Sequence, residues 1–357
     1  MPDAVADRRN VVQIGSRNVG QGHPCFIVAE AGVNHNGSLE TALQMVDAAR
    51  EAGASAIKFQ TFKAERLVTR DAPKADYQRQ TTDSAESQLE MLRRLELPVE
   101  AYDKLLDRCR ARNILFLSTP FDEESADYLD ALGIAGFKIP SGEITNLPFL
   151  AHVARKGKPM IVSTGMSSLG DVEGAVRTIR AGGNRQIVLL QCVSSYPADP
   201  ASANLRAMQT MAMAFGVLAG YSDHTQGIAV ALAAVALGAC VIEKHFTLDR
   251  HLPGPDHLAS AEPDELAALV RGIRTVEAAL GDGQKEPASI EANTAAVARK
   301  SLVANRDIPI GTVLTEDMVA IKRPGTGLPP AMRAYVIGRT ARTSIPAGSL
   351  LTFEMLA

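Results

Sequence analysis

Eight short apolar runs recur at residues 25–30, 56–60, 114–119, 137–141, 160–164, 187–192, 217–222 and 240–245, and nearly every one ends in a group able to hold an anion, a metal or a proton. Amphipathic stretches with helical spacing separate most of them, at 39–52, 105–112, 171–181 and 228–237. Strands that alternate with helices build a parallel sheet, because a parallel connection needs a crossover long enough to hold a helix. Eight such units close into a (β/α)8, or TIM, barrel of the α/β class, whose chemistry sits at the carboxyl ends of the strands. That end here collects Glu30, Lys58, Gln60, Thr119, Lys138, Ser141, Ser163, Ser222, His224, Glu243 and His245.

A barrel takes about 250 residues, so the 357-residue chain holds one barrel and one small further domain. The formal net charge of -3 excludes nucleic acid as the main partner, since phosphate backbones recruit basic surfaces. An anionic substrate must then be captured locally. The four cysteines, Cys25, Cys109, Cys192 and Cys240, are widely spaced and read as buried thiols of a reducing compartment. Residues 1–22 lack the apolar centre of a signal peptide, and no apolar run approaches the roughly 20 residues of a membrane span. A cytoplasmic protein with no membrane partner is therefore expected.

The organisation expected is an N-terminal extension and hairpin over 1–23, the barrel over 24–281, a linker over 282–298 and a β-rich domain over 299–357. Asn18-Val19-Gly20 reads as the turn of the hairpin, which is expected to plug the silent end of the barrel. A long polar excursion, 61–90, reads as a lid or binding loop over the site. In the last domain Ile308-Pro309-Ile310-Gly311 recurs as Ile345-Pro346-Ala347-Gly348, which predicts a compact, pseudo-symmetric β fold with Pro-x-Gly corners.

The strongest chemical signal is a pair of histidines, His224 just past the seventh run and His245 at the end of the eighth. Adjacent strands lie about 4.8 Å apart, so these imidazoles can share one metal, of the Mn2+, Zn2+ or Fe2+ kind. Lys58 and Lys138 sit inside apolar runs, and a lysine almost never stays buried unpaired. They face either carboxylates, such as Glu30 or Glu143, or a bound anion. Ser141, Ser163 and Ser222 add hydroxyl donors on the same rim, which favours a phosphate or carboxylate cradle. Glu30 and Glu143 are each a candidate to manage a proton. His35 shapes the first strand-to-helix loop, and His23, His152, His251 and His257 are read as structural.

Six motifs carry a family resemblance. Phe26-Ile27-Val28-Ala29-Glu30-Ala31-Gly32-Val33-Asn34-His35-Asn36-Gly37, Lys58-Phe59-Gln60-Thr61, Ser118-Thr119-Pro120-Phe121-Asp122, Lys138-Ile139-Pro140-Ser141-Gly142-Glu143, Gly220-Tyr221-Ser222-Asp223-His224-Thr225 and Ile242-Glu243-Lys244-His245-Phe246-Thr247 resemble the bacterial sialic acid synthases. From Arg299 onward, including Lys322-Arg323-Pro324-Gly325, the chain resembles the antifreeze-like (SAF) domain of those enzymes. The resemblance implies condensation of phosphoenolpyruvate with the open-chain aldehyde of an N-acetylated mannose-type sugar. N-acetylmannosamine, giving N-acetylneuraminate and phosphate, is the main expectation; a 2,4-diacetamido-2,4,6-trideoxy hexose, giving legionaminic or pseudaminic acid, is the alternative.

Carried over by motif, His224 and His245 would ligate Mn2+, while Lys58, Lys138, Ser141, Ser163 and Ser222 would hold phosphoenolpyruvate. Glu30 and Glu143 would move protons while C3 attacks the aldehyde, water adds at C2, and phosphate leaves by C–O cleavage. Gln60, Thr119, Tyr196, Glu243 and Asp256 match positions near the substrates. Arg323 matches an arginine that reaches the sugar from the partner's tail in a domain-swapped homodimer. Two rivals stand beside this reading. A metal-dependent hydrolase or isomerase on the same barrel would not need the two strand lysines, and a carbohydrate-binding protein with an inert barrel would not need the reactive rim.

Overall fold

The computed structural model describes residues 11–83 and 85–357; residues 1–10, to which the expected N-terminal extension belongs, lie outside the described residues. The chain divides into two compact units, Met1–Gly281 and Asp282–Ala357.

The first unit opens with an antiparallel hairpin of β1 (Val11–Ile14) and β2 (Arg17–Gly20). Eight strands follow: β3 (Phe26–Gly32), β4 (Ala56–Thr61), β5 (Leu115–Pro120), β6 (Phe137–Ile139), β7 (Met160–Ser163), β8 (Ile187–Cys192), β9 (Leu218–Asp223) and β10 (Val241–His245). They close into a barrel in the order β10-β3-β4-β5-β6-β7-β8-β9, every pair parallel. Each apolar run of the sequence is one of these strands. The helices Leu39–Glu51, Val99–Arg112, Leu169–Ala181 and Ala229–Ala236 contain or closely match the expected ones. Val99–Arg112 extends the apolar spacing of 105–112 back to Pro98, which takes the N-cap position; Asn113, in the left-handed conformation, ends it.

Strand side chains alternate between faces, and the alternation divides the barrel into shells. Ile27, Ala29, Ile57, Phe59, Val162, Leu189 and Ile242 point outward into one continuous core with the helices. Phe26, Val28, Ala56, Leu117, Ile161, Val188, Leu190 and Val241 point inward and pack against Val12, Ile14 and Val19 of the hairpin, which seals the amino end. Continuing along the same inward rows, the residues turn polar: Glu30 follows Val28, Lys58 follows Ala56, Ser163 follows Ile161, and Glu243 follows Val241. One face of each strand thus supplies both an apolar plug and a reactive rim.

One local expectation needs correction. Ile14 faces Arg17 across the hairpin, so the turn is Gly15-Ser16 and Asn18-Val19-Gly20 lies in and completes β2. Gly15 takes the left-handed conformation at φ +58°, while Val19 is needed on the strand to fill the plug. The excursion after β4 carries three short helices joined by irregular chain, Ala64–Leu67, Asp76–Thr81 and Gln88–Leu95, and residues of all three line the cavity described below. Ser87 and Glu90 form a capping box at the start of the last, and Met91, Leu92 and Leu95 bury its inner face against Val33, Phe62 and Ala64.

In the second unit β11 (Ser301–Ala304) pairs antiparallel with β12 (Val319–Lys322) over a core that includes Leu302, Ile308, Leu314, Ile345 and Leu351. The repeat is a structural pseudo-dyad: Ile308 and Ile345 exchange two backbone hydrogen bonds of 2.9 Å. Gly311 N donates to Ala341 O and Gly348 N to Ala304 O, both at 2.8 Å, with both glycines at left-handed φ (+81° and +82°). The segment expected as a linker contains a helix, Ala292–Ala298, and Gly325 N donates to Ala296 O at 2.7 Å, so this segment is fastened to the second unit. Among the described residues no helix is long and apolar enough to cross a membrane.

Gly220 sits on the inward row of β9, where a Cβ would lie 2.4 Å from Val241 O and 2.7 Å from Leu190 Cδ2. Gly220→Ala should therefore destabilise the barrel by roughly 1 to 3 kcal/mol through overpacking. Gly174→Ala, in a helix where a Cβ meets nothing within 4 Å, should be neutral or stabilising. Thermal melting of both variants checks this, and equal melting temperatures would contradict it.

Candidate active site

The inward rows of β3, β4, β6 and β10 bring Glu30, Lys58, Lys138 and Glu243 together, each at most 4% exposed. Lys58 Nζ lies 2.6 Å from Glu30 Oε2, 2.9 Å from Thr119 Oγ1 and 3.9 Å from Glu243 Oε2. Lys138 Nζ donates to Glu243 Oε1 at 3.0 Å, and Ser222 Oγ donates to the same oxygen at 3.1 Å. Gln60 Nε2 reaches Glu30 Oε1 at 3.4 Å. Two ammonium groups thus face two carboxylates in a site largely closed to water, where an unbalanced charge is costly. Burial raises the Glu30 carboxyl above its usual range, against the pull of Lys58. For Glu243 burial acts in the same sense, yet Lys138 and Lys58 together outweigh it and hold the carboxyl low.

Beside this cluster stand the two histidines, with ring centroids 5.2 Å apart. His224 Nδ1 is engaged by Val193 O at 2.6 Å, which leaves its Nε2 to face the cavity. His245 Nδ1 is buried with no hydrogen-bond partner, and Asp256 Oδ2 is 3.7 Å away. Burial, then His224 and Lys58, push the His245 imidazole well below its usual range, which keeps it neutral. Between these inward residues, Asp223 and Lys244 point outward and pair at 2.8 Å. Lys244 also donates to Thr225 O at 2.7 Å, and Asp223 Oδ1 accepts from Thr225 N and Oγ1 at 2.9 and 2.7 Å. This buried tie fixes the ends of β9 and β10, and with them the spacing of the histidines.

Two adjacent imidazoles, one of them held neutral and with an orphaned nitrogen, fit a divalent cation that takes its remaining ligands from oxygen. Among the described residues no group of three or more His, Cys, Asp or Glu side chains is arranged to hold a metal. A cation bound here would keep several positions open.

The cavity above these groups measures about 420 Å³. Ser141, Ser163, Thr119, Tyr196 and Asp256 line it together with the ionic cluster and the histidines. Ser141 Oγ accepts from Gly165 N at 2.9 Å, and the buried Ser163 Oγ has no partner. Tyr196 stacks on His224 at 4.1 Å between centroids and meets His245 edge-on at 5.3 Å. Burial, then His224 and Lys58, set the Asp256 carboxyl, whose net position is raised to about 6.

One expected residue is not brought into this cavity. Glu143 Oε2 accepts from Asn146 Nδ2 at 2.7 Å and does not line it, because the chain turns into a 3-10 helix at Ser141–Glu143 and directs the carboxylate to the next helix's N-cap. Arg323 is exposed on a loop of the second unit, at a cis Arg323-Pro324 bond. His35 does shape its loop, accepting from Gly37 N at 3.0 Å, and His257 is held by Thr247 Oγ1 at 2.7 Å. Sequence reasoning missed Tyr77, which lines the cavity 5.0 Å from Tyr196 and carries no local signal. It also read Cys192 only as a buried thiol. Cys192 lies two residues beyond Leu190 on the inward row, a legible sign that its Sγ faces the site, 3.8 Å from His224 Nδ1.

The NeuB family model matches residues 45–285, and the SAF domain model matches 299–357. The N,N'-diacetyllegionaminic acid synthase of Legionella pneumophila is 46% identical over 344 residues, covering 95% of this chain and 97% of that protein. The protein of the same description from Campylobacter jejuni is 48% identical, covering 91% and 98%. Among solved structures, the N-acetylneuraminic acid (sialic acid) synthetase of Leptospira borgpetersenii in complex with citrate is 37% identical with a TM-score of 0.72, covering 80% of this chain and 95% of that one.

The ionic cluster makes a prediction independent of any substrate. Lys138→Met leaves Glu243 with the Ser222 hydroxyl and, as its one cationic partner, the Lys58 ammonium 3.9 Å away, and should cost roughly 3 to 5 kcal/mol of barrel stability. Adding Glu243→Gln removes the stranded charge and should recover much of that loss. A double-mutant cycle by denaturation should then give a coupling above about 1 kcal/mol; additive effects would show that the two charges do not depend on each other.

Proposed function

We propose, from the premise that this chain belongs to the NeuB family, that it is a synthase condensing phosphoenolpyruvate with a 2,4-diacetamido-2,4,6-trideoxy hexose to give a legionaminic acid-type sugar acid and phosphate. The N-acetylmannosamine expectation gives way to this alternative. Relatives at 46% and 48% identity are N,N'-diacetyllegionaminic acid synthases, whereas the sialic acid synthetase structure stands at 37%. The observation that carries the reading is the pairing of Lys58 and Lys138 with Glu30 and Glu243 beside His224 and His245, at the carboxyl end of the barrel.

In this reading Lys58 and Lys138 exchange part of their carboxylate contact for the anionic groups of phosphoenolpyruvate, with Ser141, Ser163 and Ser222 donating hydroxyl hydrogen bonds. The orphaned Ser163 Oγ gains a partner in that exchange. His224 and His245 would hold a divalent cation, Mn2+ in the family resemblance, which would supply Lewis-acid polarisation of the acceptor's aldehyde oxygen. C3 of the enol forms the new bond to the aldehyde carbon. Water then adds at C2, its oxygen becomes the C2 oxygen of the product, and the C2–O bond breaks so that phosphate leaves with the former bridging oxygen. Glu30, whose raised proton affinity suits a carrier near neutrality, takes the water's proton. Glu143 has no such role here, since its carboxylate is turned to Asn146. Tyr196, Gln60 and Asp256 orient the acceptor. The place of Arg323 at an acetamido group, in the barrel of a second copy of a domain-swapped homodimer, rests on the resemblance alone.

Purified protein with Mn2+ should release phosphate from phosphoenolpyruvate only when an acceptor is present. With 18O in the bridging oxygen, the label should appear in phosphate; label retained in the sugar acid would contradict the C–O cleavage. Release without an acceptor would point instead to a hydrolase.

His224→Ala and His245→Ala should each abolish turnover. Each should also weaken Mn2+ binding measured by electron paramagnetic resonance while the far-ultraviolet circular dichroism stays unchanged. Unchanged Mn2+ affinity in either variant would remove that histidine from the cation site.

A further inference from the structure

The cavity has two chemically different sides. Its floor is the ionic and histidine-bearing rim described above. Its opposite wall comes from the segment between β4 and β5, where Leu67, Val68, Met91 and Leu92 line it. These four belong to a hydrophobic cluster separate from the barrel core. Met166, after β7, completes the apolar rim: it lines the cavity, is 77% exposed, and holds φ at +59°, a conformation L side chains rarely adopt. A strained, exposed apolar side chain at a cavity mouth is a mark of function. The polar groups this segment adds to the cavity, among them Gln78 and Gln88, are uncharged.

Charge accounting points the same way. Among the described residues lining the cavity, the ammonium groups are those of Lys58 and Lys138, and each already faces a carboxylate. Phosphoenolpyruvate draws on both. Among the described residues lining the cavity no further lysine or arginine remains for a phosphate on the acceptor. The reacting aldehyde carbon, C1, must sit at the floor, so the far end of an open-chain hexose, C4 to C6, extends toward the wall.

We propose that the apolar wall of Leu67, Val68, Met91 and Leu92, with Met166, selects an acceptor whose C6 is a methyl group and rejects one bearing oxygen or phosphate there. This rests on the synthase reading above. A hydroxyl placed against the wall loses its water without gaining a partner, which corresponds to roughly ten- to a hundredfold in kcat/KM. A dianionic phosphate is rejected more strongly.

The test measures phosphate release with two acceptors that differ only at C6, 2,4-diacetamido-2,4,6-trideoxymannose and 2,4-diacetamido-2,4-dideoxymannose, and with N-acetylmannosamine 6-phosphate. The wild type should prefer the 6-deoxy sugar by at least tenfold over its 6-hydroxy twin and show no detectable use of the phosphate. Leu67→Asn, at a half-buried position, should reduce the preference to below about threefold; Met166→Ala, at an exposed position that leaves the fold intact, should reduce it at least twofold. A wild-type ratio near one, or a ratio that neither variant moves, overturns the wall as the selector while leaving the synthase reading standing. Phosphate release with none of the three acceptors overturns the synthase reading itself, and the wall's role with it.

Discussion

Four buried charges at one end of a closed barrel constrain everything around them. Lys58, Lys138, Glu30 and Glu243 come from four different strands, so their balance exists only when the barrel is closed in register. Neither lysine is stable in that interior without its carboxylate, and neither carboxylate without its lysine. A cluster that is neutral as a whole and built of separable pairs can accept an anionic ligand by redistributing contacts. It does so without exposing a naked charge.

Holding such a cluster requires the rest of the interior to be apolar and well packed. The hairpin supplies Val12, Ile14 and Val19 to the amino end, where they meet the lower inward rows of the strands. Gly220 leaves room for this packing, since any Cβ there meets Val241 O. At the carboxyl end the buried Asp223–Lys244 pair locks the ends of β9 and β10 from outside. The histidines are thereby held between a packed interior and an ionic clasp.

The overlying segment and the second unit follow different rules. A helix as short as Ala64–Leu67 is marginal on its own, and it persists because Ala64 and Leu67 pack against the cluster of Met91, Leu92 and Leu95. In the second unit, duplication of one motif replaces a large core. The two copies exchange backbone hydrogen bonds at Ile308 and Ile345, and their glycines occupy equivalent left-handed corners.

Most of the barrel was legible in the sequence. Each strand combined an apolar run with a polar terminus, and Lys58 and Lys138 stood out because a lysine within an apolar run needs a partner. His224 and His245 were legible as neighbours because their strands are consecutive. The hairpin turn was misplaced because Asn18 and Gly20 are turn formers in general, and only the plug shows that Val19 belongs on a strand. The helices over the cavity had no readable period, since their apolar face is completed by Val33 and Phe62 from elsewhere in the chain. By itself the sequence determined which residues are strand, which end of each strand is reactive, and which face each side chain takes, because alternation is a property of the covalent chain. Only the tertiary structure decided that Lys138 pairs with Glu243, 105 positions away, that Glu143 turns to Asn146, and that apolar side chains of the segment between β4 and β5 line the same cavity as the ionic cluster. Those outcomes depend on distances across a closed barrel, which no local spacing encodes.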